Sequence, residues 1–230
     1  GHAIYYDVST SPMGKKETLA DTAKTFSRFV DIVMARMFKF SDIADLAKHS
    51  SVPVIDALSD MNHPCQILGD FLTIKEKKGK LKDLTLAYIG AAENNVTYSL
   101  LHGCPLVGMN INVGCPSGAD FEPKAEIVKE SNEIALSVGT KIRIFHSAED
   151  AVKEVDVVYT DSWMSYHISK EQEEARVKVL SPFQVNENLM KLAKRDAIFM
   201  NCLPAQRGHE QTAEVIDGPQ SVVFDQAENR

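Results

Sequence analysis

An α/β fold of two domains, each a mainly parallel sheet flanked by helices, with a cleft between them, is what this sequence predicts. Apolar runs of strand length alternate with helix-period segments along almost the whole chain, the pattern of repeated βαβ units. A stretch rich in lysine and glycine, residues 75–83, separates two groups of such units. At 230 residues the chain has room for one large α/β domain or two small ones.

The apolar runs predict strands over residues 3–7, 31–37, 52–55, 84–89, 109–113, 141–145, 155–160, 197–200 and 221–224. Residues 17–29 read as the first helix, because Leu19, Ala23, Phe26 and Val30 fall on one face. Ser41 is placed to cap the next helix, over Ser-Asp-Ile-Ala-Asp-Leu-Ala. His63-Pro64 opens a third, running to about Lys77, since proline costs nothing at a first helical position whose N–H has no partner in any case. Residues 225–230 read as the capped first turn of a last helix. The domain division that follows is residues 1–78, residues 79–220, and residues 221–230 returning as a helix to the first domain.

An apolar fraction of 44% and a charged fraction of 25% are ordinary globular values, so a packed core is expected. The net charge of −7 is spread along the chain, and the longest basic cluster, Lys75, Lys77, Lys78 and Lys80, lies beside Glu76 and Asp83. It reads as a solvated helix end, which argues against nucleic-acid binding. No run approaches the roughly 18 apolar residues needed to span a bilayer, so no membrane partner is expected. Cys65, Cys104, Cys115 and Cys202 are widely spaced with no C-x-x-C pair, which speaks against a zinc or redox site and for reduced cytoplasmic thiols. The start at Gly1-His2 without a methionine, and the last helix stopping after one turn, lead us to expect further sequence at both ends.

In open parallel sheets ligands bind outside the carboxyl ends of the strands, so the polar residues just after each apolar run are the ones to collect. They are Arg36, then Asp60 to Gln66, Asn94 and Asn95, Asp161 to Ser165, and Asn201 to Arg207. Cations, a histidine, amides, one carboxylate and a thiol suit an anionic substrate and an amine, and so a group transfer. Each also has a plainer reading. Arg36 is either an edge residue snorkelling to water or a functional cation too costly to bury unpaired. His63 is either a helix cap or, with Gln66 one turn on, part of a polar patch at a positive helix end. Cys202 is either a small hydrophobe or a reactive group, Asp161 a loop cap or a ligand, and Asn94-Asn95 an Asx-turn or a binding pair. The IGAAENN stretch lacks G-x-G-x-x-G, which argues against a dinucleotide.

Four motifs then occur in a telling order: Asp60-Met-Asn-His-Pro-Cys-Gln, Asp161-Ser-Trp-Met-Ser, Asn201-Cys-Leu-Pro-Ala-x-Arg-Gly-x-Glu, and Phe224-Asp-Gln-Ala-Glu-Asn-Arg230. Together they resemble the ornithine carbamoyltransferases, over essentially the whole chain. The resemblance implies transfer of the carbamoyl group of carbamoyl phosphate to ornithine, giving citrulline and phosphate, without metal or organic cofactor. It implies that residues 1–78 bind carbamoyl phosphate and residues 79–220 the amino acid. A cytoplasmic homotrimer, or a multiple of trimers, serving arginine biosynthesis is implied as well. By resemblance, Arg36, His63, Gln66, Cys202, Leu203 and Arg230 surround carbamoyl phosphate. Arg36 and His63 polarise its carbonyl, Gln66 holds its amide, and Arg230 meets its anionic end. Asn94 and Asn95 receive the α-carboxylate of ornithine, Asp161, Ser165 and Tyr166 line its amino groups and side chain, and Asp161 with Cys202 orients the attacking amine.

The family's Ser-Met-Gly stands here as Ser165-Tyr166-His167, its His-Cys-Leu-Pro as Asn201-Cys202-Leu203-Pro204, and Pro12 replaces a polar residue before Met13. Two alternatives follow: another amine acceptor, such as putrescine or a modified ornithine, and a non-catalytic paralogue that keeps the fold. The family's Ser-x-Arg-Thr-Arg phosphate loop belongs upstream of Gly1, so this polypeptide by itself is expected to show little or no transfer activity.

Overall fold

The computed structural model describes residues 1–7, 10, 13, 16–164 and 170–230. The chain divides into two compact units, Gly1–Pro64 and Cys65–Arg230.

The first unit holds α1 (Leu19–Phe26), β1 (Val33–Arg36), α2 (Phe40–His49) and β2 (Val54–Leu58). Strands β1 and β2 pair in parallel, and Ala23 of α1, Ala35 of β1, and Ile43 and Leu46 of α2 form the core. Thr18 caps α1: its hydroxyl accepts from the Asp21 N–H at 3.1 Å and donates to the Asp21 carboxylate at 2.8 Å. Ser41 lies inside α2 and does not cap it. That helix starts one residue earlier, and the Phe40 N–H donates to Asp60 Oδ1 at 2.9 Å, so a carboxylate from beyond β2 supplies the cap. Residues 3–7 are not a strand. Ile4, Tyr5 and Tyr6 are all exposed, Tyr6 with its ring edge-on to Phe26 at 4.8 Å; an apolar run becomes a strand only where a neighbour takes its backbone bonds.

The second unit begins with α3 (Pro64–Lys78) and continues through β3 (Thr85–Ile89), α4 (Asn95–Leu106), β4 (Asn110–Gly114), α5 (Ala125–Val138), β5 (Ile142–Phe145), α6 (Ala148–Val152) and β6 (Val157–Thr160). It ends with α7 (Lys170–Leu180), α8 (Glu187–Met190), β7 (Ile198–Asn201), α9 (Ala213–Ile216) and α10 (Val223–Asn229). The five strands run parallel in the order β5-β4-β3-β6-β7. The chain winds outward from β3 to β5 and then returns to lay β6 on the other side of β3, so the order reverses beside β3, where such sheets open their binding crevice. Ala87, Ile89, Val158 and Phe199 of the sheet pack on Ala151, Val152, Val185 and Leu189. Gly114 lets β4 pass under α6, since a Cβ there falls 2.8 Å from the Ala151 methyl and 2.9 Å from Ile89 Cδ1.

One expectation needs correction here. Residues 221–224 are not a strand: Ser221 makes a single bridge to Phe199, and from Val223 the chain is helical, with Val223 and Gln226 buried one turn apart. The lysine cluster does end its helix at the surface, with Lys75, Lys77 and Lys80 exposed; there Lys77 pairs with Asp225 at 2.7 Å and the half-buried Lys78 with Asp196 at 2.6 Å. Packing divides the chain at Pro64, ahead of the Lys/Gly stretch, because α3 belongs to the second unit by its contacts. A Cβ at Gly103 of α4 would meet Ile67 and Phe71 of α3 at 3.0 Å, and one at Gly69 of α3 would meet Asn229 O of α10 at 2.9 Å.

Candidate active site

At the carboxyl ends of β6 and β7 the backbone delivers Asp161 and Cys202 side by side, and the Cys202 thiol donates to Asp161 Oδ1 at 3.0 Å. The Ser162 N–H donates to the same oxygen at 2.6 Å. Burial raises the Asp161 carboxyl above its ordinary range, and these two bonds draw it part of the way back. Burial, followed by the Asp161 charge, pushes the Cys202 thiol well up, so the sulfur keeps its proton and acts as a donor rather than as a nucleophile. The chain after Asp161 is held from below: Trp163 is buried against Ala91 and Leu180, and Arg176 Nε donates to the Trp163 carbonyl at 2.7 Å while its guanidinium covers the Phe121 ring.

Arg230, just past α10, reaches the same strand ends. Its Nη1 donates to the Cys202 carbonyl at 2.8 Å and to Gln66 Oε1 at 3.1 Å. Both acceptors are neutral, and among the described residues no side-chain carboxylate pairs with this exposed cation, so its charge is available to an anion. Gln66 is wholly buried in the first turns of α3, with its Nε2 on Asp70 Oδ1 at 2.8 Å. Gln226 of α10 donates to that same oxygen at 2.7 Å, and its Oε1 accepts the Asn201 N–H at 2.9 Å. The contacts close a circle: Cys202, Arg230, Gln66, Asp70, Gln226, Asn201 and back to Cys202. Burial pushes the Asp70 carboxyl up to about 7, against the pull of its hydrogen bonds and of Arg230.

Of the residues singled out from sequence, Gln66, Asp161, Cys202 and Arg230 therefore come together in the second unit. Leu203 follows with its backbone at φ 51 and its N–H on Asn201 Oδ1 at 2.8 Å. Asn94 is the cap of α4: its Oδ1 accepts the Thr97 N–H at 2.8 Å and its Nδ2 donates to the Ala91 carbonyl and the Tyr88 hydroxyl. Asn95 is the first residue of that helix and stands half-buried at its positive end. In the first unit, Arg36 ends β1 with an exposed side chain, so no cost of burying an unpaired guanidinium arises. His63 is buried and directly precedes α3. Ser165 and Tyr166, together with His167, lie outside the described residues. Among the described residues no cluster of three or more His, Cys, Asp or Glu is arranged to hold a metal ion, and no helix is long and apolar enough to cross a membrane.

Sequence reasoning collected Asn201 but singled out neither Asp70 nor Gln226 as a site residue. A signal was present for Asp70: it and Gln66 stand one helical turn apart, on a face otherwise carrying Ile67, Phe71 and Ile74.

Comparison with known proteins accords with this geometry. Residues 1–76 match the carbamoyl-P binding domain of aspartate/ornithine carbamoyltransferase, and residues 82–230 match the Asp/Orn binding domain. The ornithine carbamoyltransferase of Picrophilus torridus is 50% identical over 230 residues, covering 100% of this chain and 75% of the relative. That of Methanocaldococcus jannaschii is 48% identical over 231 residues, covering 100% of this chain and 74% of the relative. Among solved structures, ornithine carbamoyltransferase from Pyrococcus furiosus superposes with a TM-score of 0.94 at 46% identity, over 100% of this chain and 72% of that one. Ornithine transcarbamoylase from Giardia lamblia gives 0.89 at 47%, over 100% and 73%.

Proposed function

This chain belongs to the aspartate/ornithine carbamoyltransferase family, and from that membership we propose that it transfers the carbamoyl group of carbamoyl phosphate to the side-chain amine of ornithine, releasing citrulline and phosphate. The observation that carries the reading is the run of contacts from Asp161 through Cys202 and Arg230 to Gln66, which links a carboxylate suited to an amine with a cation whose direct hydrogen-bond partners are both neutral.

The chemistry needs three things. The amine must be neutral and aimed, the oxyanion formed as the C–N bond closes must meet fixed donors, and phosphate must leave with the electron pair of its C–O bond beside positive charge. Asp161, with Oδ1 already committed to the Cys202 thiol and the Ser162 N–H, is suited to hold the amine in line. Arg230 suits the phosphate end, Gln66 the carbamoyl amide, and the Cys202-Leu203 backbone the groove between them. Arg36 and His63 are assigned to the carbonyl oxygen. Asn95 is assigned to the α-carboxylate of ornithine with Asn94 fixing the helix end on which it sits, and Ser165 and Tyr166 to the ornithine side chain. Residues 1–78 are assigned to carbamoyl phosphate, residues 79–220 to the amino acid, and residues 221–230 to the return. We extend the proposal to cytoplasmic work in arginine biosynthesis and to a homotrimer, or a multiple of trimers, the assembly being checked by light scattering on the purified protein.

The deciding experiment follows radiolabelled carbamoyl phosphate incubated with the full-length protein and ornithine, putrescine or neither. Label appearing in citrulline in proportion to phosphate released is the expected result. Preferential labelling of putrescine, or none of either amine, refutes the proposal.

A further inference from the structure

The groups assigned to the transfer are set by a buried carboxylate to which no step of the reaction has been assigned. Asp70 is fully buried on α3, and its Oδ1 alone accepts the amide N–H of Gln66 at 2.8 Å and of Gln226 at 2.7 Å, the second arriving from 156 residues away in sequence. Its Oδ2 has no hydrogen-bond partner among the described residues. A primary amide has one end that donates and one that accepts, and in a dry interior the neighbour decides which end faces it. An oxygen that takes two donors forces both glutamines to turn their NH2 groups inward and their oxygens outward. The outward Gln66 Oε1 faces Arg230 at 3.1 Å, and the outward Gln226 Oε1 holds the N–H of Asn201, the residue before Cys202, at 2.9 Å.

We infer that Asp70 is a positioning residue for carbamoyl transfer: by setting the polarity of both amides it makes Gln66 an acceptor for the NH2 of the carbamoyl group and fixes the backbone that carries Cys202 and receives Arg230. The inference rests on the function assigned above and adds to it the origin of carbamoyl recognition. A carbamoyl group offers two N–H donors, whereas acetyl or phosphate groups offer none. An outward Gln66 oxygen rewards only the former, and an outward NH2 would repel it. Protonation of Asp70 leaves this intact, because a proton on Oδ2 still leaves Oδ1 accepting.

The test compares two substitutions that share the branched skeleton of aspartate in the full-length enzyme. Asp70→Asn keeps an acceptor and Asp70→Leu removes it. The expected result is that Asp70→Leu raises KM for carbamoyl phosphate about tenfold, the worth of one hydrogen bond, with KM for ornithine within about twofold of the parent. Asp70→Asn, retaining the acceptor, is expected to stay within about threefold for both substrates. If Asp70→Leu does not fold, Asp70→Ala takes its place in the comparison. Equal carbamoyl phosphate KM values in the parent and in the variant without an acceptor overturn the inference. So does a parallel loss of kcat, both KM values and melting temperature in the asparagine variant, which would mark Asp70 as a packing residue. A parent enzyme that transfers no carbamoyl group to ornithine overturns the functional assignment itself, and is told apart because it needs no variant.

Discussion

Replacing Gly69 with alanine separates the stability of the α3–α10 contact from its use. The added Cβ falls 2.9 Å from the Asn229 carbonyl oxygen and 3.1 Å from Arg230 N and Cα, so the end of α10 has to retreat by about half an ångström. Two terms then compete in stability. Alanine in a helix interior gains about 1 kcal/mol over glycine, while overpacking of this kind costs about 1–3 kcal/mol. The net loss is at most about 2 kcal/mol, a fall in melting temperature of no more than about 8 °C for a chain of this size. The effect on Arg230 has no such offset. Its bond to Gln66 is already 3.1 Å long, and half an ångström more takes it out of hydrogen-bonding range, loosening the cation from its seat. Steady-state kinetics on Gly69→Ala are therefore expected to show KM for carbamoyl phosphate raised about tenfold, with KM for ornithine little changed and a folded protein by thermal melt. A folded variant with the parent's carbamoyl phosphate KM would refute the reasoning that this notch in α3 seats Arg230.

Cys202→Ala removes the thiol from Asp161, so the Asp161 carboxyl loses a bond that holds its pKa down. The acid limb of kcat/KM for ornithine should move to higher pH and its plateau fall about tenfold; an unmoved limb contradicts the assignment. Asp70 gives a stability prediction whose sign is unusual for a carboxylate. Its folded value of about 7 lies above the reference value of 3.8, so its contribution is complete below 3.8 and is lost as pH rises through 7, a few kcal/mol in all. Denaturant melts at pH 5 and pH 8 should then show the stability of Asp70→Asn relative to the parent growing at the higher pH, and a constant difference counts against a buried ionising group. Gly114→Ala, whose methyl would meet Ala151 and Ile89 inside the core, should cost about 1–3 kcal/mol by denaturant melt while leaving both KM values in place, and unchanged stability argues against that close approach.

What could be read from the sequence follows the range of the interactions concerned. Strands β3, β4, β6 and β7 lie where the apolar runs predicted them because their residues are covered on both faces, and a buried parallel strand shows as a continuous apolar stretch whatever its neighbours. The same rule failed at residues 3–7 and 221–224, where apolar runs exist but no ladder takes up their backbone bonds. The polar residues after β6 and β7 were legible because topology alone sends them to the crevice, and Asp161 does meet Cys202 there. The plainer reading of Asn94 proved right about its side chain, which is consumed as a helix cap. The cap of α2 was read from Ser41 because local spacing favours it, whereas Asp60, distant in sequence, performs it. Asp70 and Gln226 were illegible as a pair for the same reason: nothing local in either segment announces a partner 156 residues away.

The circle joining Cys202, Arg230, Gln66, Asp70, Gln226 and Asn201 has no free end. Remove any of its four side-chain members, Arg230, Gln66, Asp70 or Gln226, and the neighbours on either side each lose a partner, so the loss spreads in both directions round the loop, whereas Cys202 and Asn201 take part through the main chain alone. Drift at those four side chains is thus a two-body problem: a lone exchange is punished, while matched exchanges of giver and taker can pass, and the rest of the surface is free to wander around a motif that can change only in steps of two.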